Sequence, residues 1–240
     1  MNTMIKAEQL CKTYGTQLAV DGVSLEVKRG TVFGLLGANG AGKTTTLECI
    51  LGTKVPDSGA VSILGQNPKT DRRTLFQQVG VQFQGNDYQS EIKVSELCEE
   101  MACLYKEPLD WQALCEQFGI GDKVDQGVKS LSGGERQRLF ILLALIPNPQ
   151  VVFLDELTTG LDPKARRQVW KILSELKQQG VTIFLTSHFM DEVETLCDEI
   201  CILKEGRTAF YGTVEQAKET SGCEKFEDAY LMISGEEDEK

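Results

Sequence analysis

The chain has 240 residues, 41% of them hydrophobic and 25% charged, the balance of a globular protein with one substantial core. Asp and Glu number 36 against 25 Lys and Arg, and a net charge of -11 argues against broad nucleic-acid binding, which needs a basic face. No apolar run approaches the roughly 18–20 residues that span a bilayer, and residues 1–10 lack a signal peptide's apolar stretch. A cytoplasmic chain is therefore expected, brought to any membrane by another protein.

Residues 5–10, 23–27 and 31–36 alternate apolar and polar positions between the turn signals Tyr14-Gly15, Asp21-Gly22 and Arg29-Gly30, which predicts antiparallel strands. The last of these runs into a glycine-rich turn and a helix over 43–51. Leu47, Ile50 and Leu51 share one face of that helix, and Gly52 can stop it. Residues 79–83 precede Gln84. From about 85 to 148 the signal is mainly helical: Val94, Leu97, Cys98, Met101, Leu104 and Tyr105 recur at helical spacing, Pro108 ends that helix, and 111–118 suggests another.

An α/β core then resumes. Residues 151–154 are uniformly apolar, as in a parallel strand buried on both faces. Asp162-Pro163 reads as N-cap and first helical position, and Val169, Ile172, Leu173 and Leu176 carry the helix to Gly180. A buried strand over 181–185, a helix over 191–197 and a hairpin of 200–203 with 208–211, turning at Glu205-Gly206, complete the core. One domain is expected over 1–235, with a helical subdomain at about 85–148 and a frayed acidic tail at 236–240. The eight cysteines include no C-x-x-C pair. Cys197 and Cys201 lie among Leu196, Ile200 and Ile202, which favours buried reduced thiols over a zinc site.

Residues 37–44 read Gly-Ala-Asn-Gly-Ala-Gly-Lys-Thr and fit G-x4-G-K-[ST], the Walker A phosphate loop, between a predicted strand and a predicted helix. Several backbone N–H groups must approach one triphosphate, and side chains at Gly37, Gly40 and Gly42 would obstruct that. The helix opening near Lys43 adds its positive dipole end. Lys43 can reach the β and γ phosphates, and the Thr44 hydroxyl can ligate Mg²⁺. Gly37, Asn39, Gly40, Ala41, Gly42, Lys43, Thr44 and Thr45 are thus candidate ATP contacts. Residues 151–156, Val-Val-Phe-Leu-Asp-Glu, fit Walker B: a buried strand delivers two carboxylates to the sheet edge where ligands bind. Asp155 would hold Mg²⁺ and Glu156 would polarise an attacking water.

Residues 131–138 read Leu-Ser-Gly-Gly-Glu-Arg-Gln-Arg. This resembles the signature motif of ABC ATPases, although Ser132-x-x-Glu135 is also a capping box at a helix start; one sequence can serve both purposes. The resemblance extends from Ile5 to about Ser234. It implies the ABC ATPase fold, a P-loop NTPase core with an antiparallel β subdomain and an inserted helical subdomain. It further implies that Ser132, Gly133 and Gly134 bind the γ-phosphate of ATP held by an opposite protomer. Tyr14 matches the aromatic that stacks on adenine, Gln84 the glutamine that senses Mg²⁺ and the membrane partner, and Asp162 the D-loop aspartate at the dimer interface. His188, the chain's only histidine, matches the residue that contacts the γ-phosphate and supports the attacking water. Without the resemblance, Tyr14 reads as turn packing, Asp162 as a plain N-cap and His188 as a satisfied core residue.

Two features depart from the pattern. Leu157 stands where the family usually has proline, which predicts a less constrained Glu156. Residues 141–146 are more uniformly apolar than is usual after the signature.

In the family two subunits pair head-to-tail over two ATP molecules, so the expected partners are a second copy or a homologous ATPase subunit, together with an integral membrane permease. Residues 185–194 and 226–231 look like the His-loop region and closing helix of ABC-2-type exporter subunits, and 86–94 would dock the permease. An importer ATPase and a soluble ABC protein acting on DNA or ribosomes are the alternatives. No nucleic-acid partner is expected.

Overall fold

The computed structural model describes residues 2–83 and 91–235. The chain opens with a long hairpin, β1 (Thr3–Tyr14) and β2 (Gln17–Lys28), followed by β3 (Val32–Leu36) and helix α1 (Lys43–Ile50). Strand β4 (Ser58–Ile63), the single turn α2 (Arg72–Leu75) and strand β5 (Val79–Gln82) come next. Helices α3 (Val94–Cys103), α4 (Trp111–Gln117) and α5 (Gly133–Leu145) lead into β6 (Val151–Asp155), α6 (Pro163–Gln178), β7 (Thr182–Thr186) and α7 (Met190–Leu196). The hairpin β8 (Glu199–Lys204) and β9 (Arg207–Gly212) precedes the closing helices α8 (Val214–Ser221) and α9 (Phe226–Ser234).

Two sheets result. One is antiparallel, ordered β2-β1-β4; the other is ordered β5-β6-β7-β3-β8-β9 and is parallel except at β9. Strand β3 corrects the sequence expectation. It does not continue the antiparallel set but pairs in parallel with both β7 and β8. The reason is its composition: all five residues of Val-Phe-Gly-Leu-Leu are buried, whereas β1 and β2 carry exposed positions between buried ones. A strand apolar on both faces needs cover on both, and only the central sheet provides it. Strand β4 escapes a reading of the sequence because its first three residues, Ser-Gly-Ala, are exposed and carry no alternation.

The apolar run of α5 also finds its cause here. Leu139 through Leu145 are all buried, since the helix passes between β5 and β6 on one side and α3, α4 and α6 on others. Its approach to β5 is so close that a Cβ on Gly80 would sit 1.9 Å from the Ala144 carbonyl oxygen. Helix α3 is shorter than its periodicity predicts. It stops at Cys103, well before Pro108, and Leu104 is 65% exposed while Tyr105 packs against the core. The chain leaves the helix there to return to α5, where the Leu109 N–H donates to the Ile146 carbonyl at 2.8 Å.

Candidate functional site

The loop between β3 and α1 is shaped by glycines. Gly37 has φ 146° and Gly42 φ 101°, a region that side chains rarely adopt. A Cβ on Gly37 would lie 2.5 Å from the Leu203 carbonyl oxygen, and one on Gly42 the same distance from that of Ala19. Both glycines therefore let the loop seat against β8 and β2. Gly40, φ 83°, would have nothing within 4 Å of an added Cβ and serves through its conformation alone. Lys43 is buried, with its ammonium donating to the carbonyls of Gly37 at 2.6 Å and Ala38 at 3.1 Å. Positive charge is thereby stored inside the loop. Helix α1 has no side-chain cap and no acidic residue in its first turn, which leaves its N-terminal dipole open to an anion.

This loop borders a cleft of about 610 Å³. Asn39, Gly40, Gly42, Lys43, Thr44 and Thr45 line it from the loop and α1; Tyr14, Gln17 and Ala19 line it from the first hairpin. Glu156 and His188, just beyond β6 and β7, complete it. Gly37, Ala41 and Asp155 do not line the cleft but are buried behind it. Tyr14 is 43% exposed, with Lys12 Nζ 5.7 Å from its ring centre.

The acidic end of β6 is held by its neighbour. Thr186 Oγ1 donates to Asp155 Oδ1 at 2.6 Å and accepts the Glu156 N–H at 2.9 Å. Glu156 has φ 49°, a left-handed conformation that turns the chain sharply at the strand end. Leu157 is buried in the core immediately after it. With Leu157 in place of proline, Glu156 takes this left-handed turn directly before a buried residue. Its Oε1 meets His188 Nε2 in a close hydrogen bond.

The signature residues face a different cleft, of about 450 Å³, lined by Ser132, Gly133, Gly134, Gly160 and Asp162 among others and sharing no residue with the first. Ser132 caps α5: its hydroxyl and N–H both donate to Glu135 Oε2, at 2.7 and 2.8 Å, and the Glu135 N–H donates back at 3.3 Å. Those bonds from Ser132 hold the Glu135 carboxyl below its usual range. Asp162 caps α6, accepting the N–H groups of Lys164 at 2.9 Å and Ala165 at 3.1 Å. Gln84 and residues 86–90 lie outside the described residues. Sequence reasoning missed Gln17, Ala19 and Thr186 and, within the loop motif itself, Ala38, which also lines the cleft. Nothing local marks the first two, whereas a threonine ending an apolar strand beside Walker B was a usable signal for the third. Among the described residues no group of three or more His, Cys, Asp or Glu could hold a metal by itself, and the cysteines are free thiols.

The family described as "ABC transporter" matches residues 20–159, more than half of the chain. The chain belongs to the ABC transporter family. ABC proteins of this kind bind nucleotide and hydrolyse ATP, and this chain is such an ATPase domain. It is 41% identical over 214 residues to a Nod factor export ATP-binding protein I of Ralstonia nicotianae, covering 87% of this chain and 67% of that one. A protein of the same name from Burkholderia pseudomallei is 40% identical over 234 residues, covering 93% and 75%. Among solved ABC structures, an ATP-binding subunit of an ABC transporter superposes with a TM-score of 0.87 at 26% identity, covering 96% of this chain and 99% of that one.

Proposed function

We propose that this chain is the ATP-hydrolysing subunit of an exporter, working on the cytoplasmic face of a membrane beside a separate permease. The carrying observation is the Glu156–His188 pair in the cleft bordered by the Walker A loop, with the signature in a second cleft. Each nucleotide would be held by the loop of one subunit and by Ser132, Gly133 and Gly134 of another, with Asp162 at the seam. Tyr14 would stack on the adenine. The exporter reading is supported by the relatives' names and by the residues at 185–194 and 226–231.

The donor set suits Mg²⁺. Asp155 and the Thr44 hydroxyl offer hard oxygens, with Gln84 as a third candidate, and Mg²⁺ is commonly shared between one or two such groups, water and substrate phosphates. When bound, it would offset the charge of the phosphate oxygens. Thr186, bonded to Asp155 Oδ1, would orient Asp155 for that task. Lys43, already inside the loop, would exchange carbonyl partners for phosphate oxygens. Glu156 would accept a hydrogen bond from the attacking water and align it with the γ-phosphorus, while His188 would steady the Glu156 carboxylate and reach the γ-phosphate. Most of the rate would come from positioning and fixed charge.

Glu156→Gln tests this reading. ATP binding is expected to persist while turnover falls by roughly 100-fold or more, with a dimer accumulating in ATP. Normal steady-state turnover would overturn the assigned role. Mild-detergent purification from native membranes is expected to yield a multi-span membrane protein with the tagged chain; ribosomes or DNA in its place would remove the exporter reading.

A further inference from the structure

His188 lies on the short connection 187–189 between β7 and α7, and its own side chain is about one-third exposed, so packing does little to aim it. Its two neighbours are held instead. Ser187 is 2% exposed, and its hydroxyl donates to Glu192 Oε2 in a close hydrogen bond while accepting the Phe189 N–H at 3.1 Å. The Phe189 ring lies against the Arg166 guanidinium, 3.8 Å from ring centre to Cζ.

Glu192 is the unexpected member. It sits in the first turn of α7 at 2% exposure, and its other oxygen accepts Trp170 Nε1 from α6 at 2.9 Å. Burying a carboxylate is costly, and packing alone would be served by an apolar side chain. A carboxylate offers two acceptor oxygens on one rigid plane, so it can bind an α6 donor and the residue next to His188 at once. We propose that Glu192 is a positioning residue for ATP hydrolysis: it ties Ser187 to Trp170 and so fixes the turn that presents His188 to Glu156. The inference rests on the catalytic reading of His188 and Glu156 given above.

Since His188 is the only histidine in the chain, its imidazole proton resonances identify the contact without ambiguity. Two spectra of the full chain set the scale, wild type and Glu156→Gln; Ser187→Ala is a test variant that removes one oxygen with little change in packing. Ser187→Ala and Glu192→Gln are expected to move the His188 resonances toward those of Glu156→Gln. Both are expected to lower kcat roughly tenfold to a hundredfold with KM for ATP changed less than about twofold. In a His188→Ala background neither should lower turnover further. Unmoved His188 resonances, or a full additional loss in that background, would overturn the role of Glu192. Normal turnover by His188→Ala alone would instead remove the catalytic reading on which the inference stands.

Discussion

The Thr186 hydroxyl donates to Asp155 Oδ1 at 2.6 Å, across paired strands in which these two residues face each other. The same oxygen accepts the N–H of Glu156 at 2.9 Å. One buried hydroxyl therefore holds both the Asp155 carboxylate and the backbone of Glu156. Thr186→Val preserves the shape and removes both bonds. The expected cost is about 1–3 kcal/mol of folding stability, read as a lower denaturant midpoint, together with weaker Mg²⁺-dependent ATP binding. A variant with wild-type values for both would show that Asp155 is oriented by other means.

Ser132→Arg places bulk and charge at the start of α5, outside the lining of the Walker cleft. Loss of the serine cap is expected to cost about 1 kcal/mol. ATP-dependent dimer formation should disappear, even in a Glu156→Gln background, while nucleotide affinity of the monomer stays within about twofold. Size-exclusion chromatography with and without ATP, beside a fluorescent-nucleotide titration, distinguishes these effects. Loss of monomer binding would contradict the assignment of the signature to an opposite subunit.

Gly80→Ala tests the packing of α5 on β5. The added methyl would meet the Ala144 carbonyl at 1.9 Å, and backbone on a packed helix yields only at a cost. Destabilisation of about 1–3 kcal/mol is expected. An unchanged unfolding midpoint would mean that α5 shifts away from the sheet freely.

Stability should depend on pH through Glu192. Burial pushes its carboxyl above the ordinary value near 4.5, against the bonds from Ser187 and Trp170 and the charge of Arg166. Between that ordinary value and the raised one, the folded chain retains a proton that the unfolded chain has lost. Folding stability from this group is accordingly lost as pH rises through the window. Glu192→Gln cannot titrate, so its stability relative to wild type should improve as pH rises from the ordinary carboxyl value through the raised one. Denaturant unfolding at three pH values measures the difference; a constant offset would show that the Glu192 proton is held equally in both states. Glu135 has the opposite sign, since its lowered carboxyl stabilises above its unfolded value and loses that contribution as pH falls.

What can be read from the sequence is what is local. The phosphate loop, the Ser132 capping box and the Asp162-Pro163 helix start each complete their chemistry within a few residues, and each stands in the fold as expected. Strand β3 is harder to place because a strand's sheet depends on what covers it, and five residues do not state their neighbours. Leu104 counts toward a helical face because its spacing fits, yet the chain turns away just before it. The buried link from Trp170 through Glu192 to Ser187 is invisible in sequence for the same reason. Its members come from two helices and a turn, and only the packing of α6 beside α7 brings them together.

The separation of the two clefts has a consequence for inheritance of defects. In the proposed head-to-tail pair, Glu156→Gln on one subunit and Ser132→Arg on its partner fall in the same composite chamber, leaving the other chamber whole. Both lesions carried by one subunit, with an unaltered partner, strike both chambers. Two defective alleles could thus complement each other, and a single doubly altered allele could poison a normal one.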